Sequence, residues 1–186
     1  MNRLHAFLPT LAKRCAWNLK YGWLGYPQLV APKDALEYLS AGLSENGALL
    51  ELGCGRGSLI RGLRRNGWTG YYCGVDISNQ AINDARKFED LRSSWVVSDF
   101  ESFRHPSKWD AVAMIESIYY IRLGELPPVL RRIMGMLREH GVLLVRLHDP
   151  DKHAEYVGMI RQLYPEMNMV GNNLFCISAS SRSVDQ

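Results

Sequence analysis

Short apolar runs alternate with stretches of helical spacing along most of the chain. Ala48-Leu-Leu-Glu-Leu52 is a compact apolar run that ends on a glycine-rich turn. Ser58 to Arg65 then sets Leu59, Ile60 and Leu63 on one side of a helix and Arg61, Arg64 and Arg65 on the solvated side. Tyr71 to Val75 reads as a strand, with Ser78 as N-cap of a helix Asn79–Phe88. Trp95–Val97 and Asp110–Ile115 are the next strands, and Leu126–Leu137 is helical, with Pro127 and Pro128 tolerable only in its first turn. Gly141 precedes a fifth strand, Val142–Leu147. A helix His153–Leu163 follows, and Met167–Val170 with Leu174–Ser178 form a closing hairpin about Gly171-Asn-Asn173. The tail Ser180–Gln186 is expected to fray.

Alternating strand and helix from Ala48 to Leu163 predict a mostly parallel sheet with helices on both faces. Ligands of such sheets bind at the carboxyl ends of the strands, where the strand order switches. Upstream, Ala35, Leu36, Leu39 and Leu43 have helical spacing that Gly42 and the Ser44–Gly47 cluster stop. Residues 1–32 stand apart, with Trp17, Lys20, Tyr21, Trp23 and Tyr26 on a short helix and an irregular segment. The expected division is therefore a segment 1–32 and a single domain 33–186, without repeats or linkers.

Bulk measures add exclusions. At 186 residues, 47% hydrophobic and 22% charged, the chain is neither collagen-like nor disordered, and it is the size of one domain. A formal charge of +3 singles out neither a nucleic acid nor a membrane as partner. Cys15, Cys54, Cys73 and Cys176 make no C-x-x-C pair, so reduced thiols in a cytoplasmic setting are expected. The segment Met1–Ala12 is interrupted by His5 and Pro9, meets Lys13-Arg14 and lacks a small-x-small site, which argues against a secretory signal. No apolar run approaches the ~20 residues of a membrane span.

The chemistry concentrates in Glu51-Leu-Gly-Cys-Gly-Arg-Gly57, between a strand and a helix. Glycines at alternating positions let backbone approach a ligand where a side chain would clash. A dinucleotide fingerprint, G-x-G-x-x-G, is the rival, but here the third glycine comes one residue early and Ser58 stands where that fingerprint needs glycine or alanine. An acid two places before the first glycine suits a ligand with an amino group and a sulfonium charge better than a pyrophosphate. Asp76, closing the next strand in Gly74-Val-Asp-Ile-Ser78, can accept both hydroxyls of a ribose.

With these residues the chain resembles the class I S-adenosylmethionine-dependent methyltransferases. The first two motifs are the Glu51–Gly57 loop and Gly74–Ser78. Val97-Ser-Asp-Phe100 resembles the adenine-binding turn, Asp110–Glu116 the fourth strand and Leu137–Val145 the approach to strand five. The likeness spans Asp34 to Leu147. It implies a Rossmann-like, doubly wound α/β fold with a seven-stranded sheet and a C-terminal antiparallel hairpin strand. It implies S-adenosyl-L-methionine as cofactor and S-adenosyl-L-homocysteine as product. Glu51, Gly53, Cys54, Gly55 and Gly57 would surround the methionine part, Asp76 would hold the ribose and Ile77 would lie on the adenine. Ser98, Asp99 and Phe100 would meet the adenine edge, and Glu116 and Ser117 would border cofactor and substrate.

Methyl transfer from a sulfonium needs alignment, desolvation and at most one base. No metal is expected, because the chain has no H-E-x-x-H and no close carboxylate set. Glu116, Tyr119, Tyr120 and His148 fall at the carboxyl edge of the sheet as candidate catalytic groups. One tyrosine of the pair is expected to pack as core, and the turn His148-Asp149-Pro150 reads equally as a solvated loop. His153 and His105 read as surface residues. Trp17, Tyr21 and Tyr26 resemble an aromatic lid able to favour a cation, against the plain alternative of a terminal helix packed on the sheet.

Absences narrow the acceptor. Glu116-Ser-Ile-Tyr119 stands where many nucleobase amine methylases carry (Asp/Asn)-Pro-Pro-(Tyr/Phe), and no Pro-Cys pair or appended RNA module exists. Segments Trp95–Asp99 and Ile115–Ile121 are similar to those of nodulation-type amino-sugar methyltransferases. A small polar acceptor with an amine or hydroxyl is expected, with no nucleic-acid or membrane partner. The alternatives are a protein or RNA methyltransferase, a non-catalytic cofactor-binding partner subunit, or a dehydrogenase.

Overall fold

The computed structural model describes residues 9–24, 27 and 29–180. Tyr26 and the tail beyond Ser180 lie outside the described residues. Seven strands form one sheet in the order β3-β2-β1-β4-β5-β7-β6: β1 Ala48–Leu52, β2 Tyr71–Asp76, β3 Ser93–Val97, β4 Trp109–Ile115, β5 Leu137–Arg146, β6 Asn168–Gly171 and β7 Leu174–Ser178. Strands β1 to β5 are parallel, and β7 runs antiparallel to both β5 and β6. The chain moves outward from β1 through β2 to β3, then returns to lay β4 on the other side of β1. That reversal opens a crevice at the strands' carboxyl ends.

The helices are α1 Thr10–Gly22, α2 Lys33–Gly42, α3 Ser58–Arg65, α4 Asn79–Ala85, α5 Leu126–Gly135 and α6 Ala154–Leu163. Successive strand residues face opposite sides. Leu49, Ala111, Ala113 and Leu144 pack on one face with Ala35, Leu39, Leu63 and Ile82 of α2, α3 and α4. Leu50, Leu52, Val112, Met114 and Val145 pack on the other with Leu130, Ile133 and Ile160 of α5 and α6. With both faces covered, β1 is buried at every position and reads as a continuous apolar run rather than an alternation.

The predicted elements occur, with shifted ends. Pro127 and Pro128 open α5 as expected, and the Ser78 hydroxyl caps α4 by accepting from the Ala81 amide at 3.2 Å. α4 ends at Ala85 and passes into a 3-10 turn, Arg86–Phe88. The α5 helix stops at Gly135 rather than Leu137, and β5 begins five residues earlier than its apolar run. Leu137 pairs with Trp109 before a register shift, so exposed Arg138–His140 belong to a strand although nothing apolar marks them. The N-terminal helix is longer than expected, running 13 residues from Pro9 at its N-cap.

Candidate active site

The glycine loop hangs from β1 over the tip of β2. The amides of Gly53 and Cys54 both donate to the Val75 carbonyl, at 2.7 and 3.0 Å. The loop needs left-handed backbone, with φ +85° at Gly53 and +52° at Gly55. Space forbids side chains as well: a Cβ on Gly53 would fall 2.4 Å from the Ser117 Cβ, and one on Gly55 2.9 Å from the Tyr21 hydroxyl. Ser117 is fixed there because its hydroxyl donates to the Leu52 carbonyl at 2.6 Å. The first motif is thus clamped between the end of β4 and α1.

Asp76 is held by that loop. One carboxylate oxygen accepts from the Gly55 amide at 2.9 Å and the other from the Ser78 amide at 2.8 Å. Burial pushes its carboxyl up to about 6, although the amides of Ser78 and Gly55 favour the charged form. Glu51 is deeper. Burial pushes it to about 8 despite the Tyr72 hydroxyl, which donates to it at 2.5 Å, and nearby Asp76 adds to the rise. Burial also pulls Asp99 upward, but the Ser102 hydroxyl and amide, both at 2.7 Å, help to hold it below the usual carboxylate range.

These groups line one cavity of about 490 Å³, in the size range of small-molecule sites. Of the residues expected at the cofactor, Glu51, Gly53, Cys54, Gly55, Asp76, Ile77, Asp99, Phe100, Glu116 and Ser117 are on its wall. Gly57 and Ser98 are not. Gly57 holds a left-handed turn beneath Trp95, and the Ser98 hydroxyl turns to the Asp99 carbonyl at 3.2 Å. Phe100 contributes its ring, which packs near Gly53, while its carbonyl accepts from Arg132.

The far wall is aromatic. Trp17 contacts Tyr21 at 5.8 Å between ring centroids and Tyr120 edge-on at 5.0 Å. Tyr120 meets Tyr119 at 4.8 Å, and Tyr119 stacks on His153 at 4.3 Å. Both tyrosines of the pair are half-buried on the cavity wall, although Tyr119 also packs against the core, so the expected division between them does not occur. His153, read from sequence as a surface residue, lines the cavity, because its stacking partner lies 34 positions away and leaves no local signal.

Glu116 is a hub. One oxygen accepts from Arg146; the other accepts from the His148 amide at 2.5 Å and the Tyr119 hydroxyl at 3.4 Å. The residue itself sits at φ +56°, strained backbone for a non-glycine residue. Arg146 also reaches Asp34 of α2 at 3.3 Å. Sequence reasoning missed Arg146, although a lone charge closing an apolar strand was a usable signal. It also missed the residues that seat α1. The Asn18 side chain accepts from the Ser78 hydroxyl at 2.8 Å, Arg56 donates to the Tyr21 carbonyl at 2.7 Å, and Lys13 pairs with Glu101 at 3.1 Å. His148 is exposed at the cavity mouth. Among the described residues no group of His, Cys, Asp and Glu could hold a metal ion.

Residues 26–172 match the family described as "Methyltransferase domain". The chain belongs to that family. Membership makes it an enzyme with S-adenosylmethionine as cofactor. No curated protein matches it in sequence. Among solved structures it is similar to a Clostridium thermocellum protein named as an rRNA methylase, at 16% identity and TM-score 0.62 over 82% of this chain and 97% of that one. It is also similar to the [4+2]-cyclase SpnF, at 17% identity and TM-score 0.61 over 74% of this chain and 60% of that one. A third is CalS10, an amino pentose methyltransferase from Micromonospora echinaspora, at 18% identity and TM-score 0.53, over 61% of this methyltransferase and 48% of CalS10. The chain thus spans nearly all of the first but under two thirds of the other two. At these identities the likeness is one of fold, and activity must be argued from the site.

Proposed function

We propose that this methyltransferase moves a methyl group to an amine or hydroxyl of a small polar acceptor. The observation that carries the reading is the Asp76–Gly55 bond, which fixes a carboxylate and a glycine-rich loop on one cavity wall. The donor set fits S-adenosylmethionine. Two buried acidic groups at the tips of β2 and β3, Asp76 and Asp99, suit ribose hydroxyls and an exocyclic amine, and the Gly53–Gly55 backbone leaves room for the methionine chain. When bound, the cofactor supplies a methyl group on a positively charged sulfur.

The chain's own residues then align and desolvate. Glu51, protonated near neutrality, releases its proton to solvent as a cationic amino group binds beside it, and the resulting carboxylate holds that group more tightly. Trp17, Tyr21 and Tyr120 turn ring faces and edges to the cavity, excluding water and favouring a cation. Glu116, with both oxygens engaged, is a positioning residue that orients the Tyr119 hydroxyl and the end of β5. Tyr119, Tyr120 and His148 are the groups that touch the acceptor, and an acceptor proton passes outward past His148 at the mouth. In this reading residues 1–32 are the lid and 33–186 the catalytic domain.

A small acceptor suits a cavity roofed by α1 better than a macromolecule does. Calorimetric titration with S-adenosylhomocysteine and with NAD, using Asp76→Ala as control, tests the cofactor. Methyl transfer to amines, hydroxyl compounds and RNA then tests the acceptor. Binding of neither ligand defeats the enzymatic reading, and turnover on RNA alone overturns the small-molecule one.

A further inference from the structure

The outward face of α1 takes no part in the site. Leu11, Cys15, Leu19 and Trp23 recur every fourth residue and so share one side of the helix, away from buried Lys13 and Trp17. Leu11 is 73% exposed, Leu19 51% and Trp23 87%, and Cys15 is exposed as well. Past the helix, Leu29 and the 88% exposed Val30 are apolar residues on the cavity's own rim. Single exposed apolar residues are ordinary, whereas a stripe along one helix leading to an apolar rim marks a docking surface.

Charge says what docks. The first 33 residues hold Arg3, Lys13, Arg14, Lys20 and Lys33 and no Asp or Glu, so they carry +5 while the remainder of the chain carries −2. The modest overall +3 hides this division. A basic segment carrying a Leu and Trp face has the make-up of one lying in a lipid–water interface, although buried Lys13 is held by Glu101 and adds nothing to that attraction. RNA would use the charge and the rings but leave Leu11, Leu19 and Val30 without a role. A second copy docked through the same face would set two +5 segments together.

We infer that α1 rests on an anionic lipid surface through its Leu11–Trp23 face. The Leu29–Val30 rim, six to seven residues beyond Trp23, then lies within about 25 Å of that surface. Attachment is reversible, since among the described residues no helix is long and apolar enough to cross a membrane. The inference goes beyond the proposed methyl transfer and does not depend on it.

Flotation with vesicles of phosphatidylcholine, and of equimolar phosphatidylcholine and phosphatidylglycerol, tests it without cofactor or acceptor. The full chain is expected to float with the anionic vesicles at low salt and to be released at high salt. Leu19→Glu and Trp23→Glu are each expected to weaken this by ~10-fold or more. Unchanged thermal melting and oligomeric state show that the variants remain folded. No flotation at low salt, or equal flotation by the variants, overturns the inference. So does a dimer that the variants dissolve, or an RNA oligonucleotide that they fail to retain, when neither is accompanied by flotation.

Discussion

The Tyr21 hydroxyl stands where a side chain on Gly55 would begin, 2.9 Å from a Cβ built there. The roof of the cavity is therefore fitted to its floor, and one methyl group disturbs both. Gly55→Ala also forces alanine to φ +52°. We expect it to lower S-adenosylhomocysteine affinity ~10-fold or more and to loosen α1. Calorimetry reads the first effect and protease sensitivity near Tyr21 the second.

Asp76→Asn keeps the shape of the side chain and removes its charge. Hydrogen bonds to a charged group contribute ~1.5–3 kcal/mol, so cofactor affinity should fall ~10- to 100-fold. The wild-type protein should show the same loss at low pH. The carboxylate is the accepting form, and its value is about 6, so affinity falls as pH drops through 6. An Asp76→Asn protein that still loses affinity over that range would assign the acid limb to another group.

Glu51 sets an opposite trend in stability. Its carboxyl rises from an ordinary 4.5 to about 8 on folding, so the folded state keeps a proton that the unfolded state releases. Its cost therefore grows as pH rises from 4.5 and levels off above 8. Urea unfolding should show a loss on the order of 2 kcal/mol between pH 6 and 8. Glu51→Gln, which cannot ionise, should remove most of that slope.

Arg146 lies between two carboxylates, Glu116 and Asp34, and all three side chains are largely buried. Arg146→Met leaves both acids facing one another without a cation. A destabilisation of about 3 kcal/mol is expected, with partial recovery in Arg146→Met/Glu116→Gln. Denaturant titration of the two single variants and the double variant measures the coupling.

Trp17 anchors α1 inward, buried and edge-on to Tyr120. Trp17→Ala is expected to free residues 9–24 to proteolysis while the sheet unfolds at nearly the wild-type denaturant concentration. Co-operative loss of both would instead make α1 part of the core.

The sheet was legible because buried parallel strands are short apolar runs bounded by glycine and polar turns, as β1 and β4 show. The start of β5 was not, since exposed Arg138–His140 fall in a register shift and carry no apolar signal, Arg138 being tied instead to Asp110 of β4 at 2.6 Å. At the site, residues fixed by local spacing were found: the glycine loop, Asp76 and Asp99. Residues fixed by partners remote in the chain were not, as with His153 stacked on Tyr119 or Asn18 bonded to Ser78. The whole-chain charge hid the basic character of the first 33 residues, because a sum discards position.

The strand order also dictates when the site can exist. β1 is the first strand made, yet it lies between partners from both halves of the chain. While a nascent chain carries only β1 to β3, the fully buried β1 has one edge open to wrong pairing. The Leu52 carbonyl must wait for the Ser117 hydroxyl, 65 residues downstream, before the glycine loop is pinned. Assembly of the cofactor cradle is thus a late, long-range event, and slow folding is built into the topology.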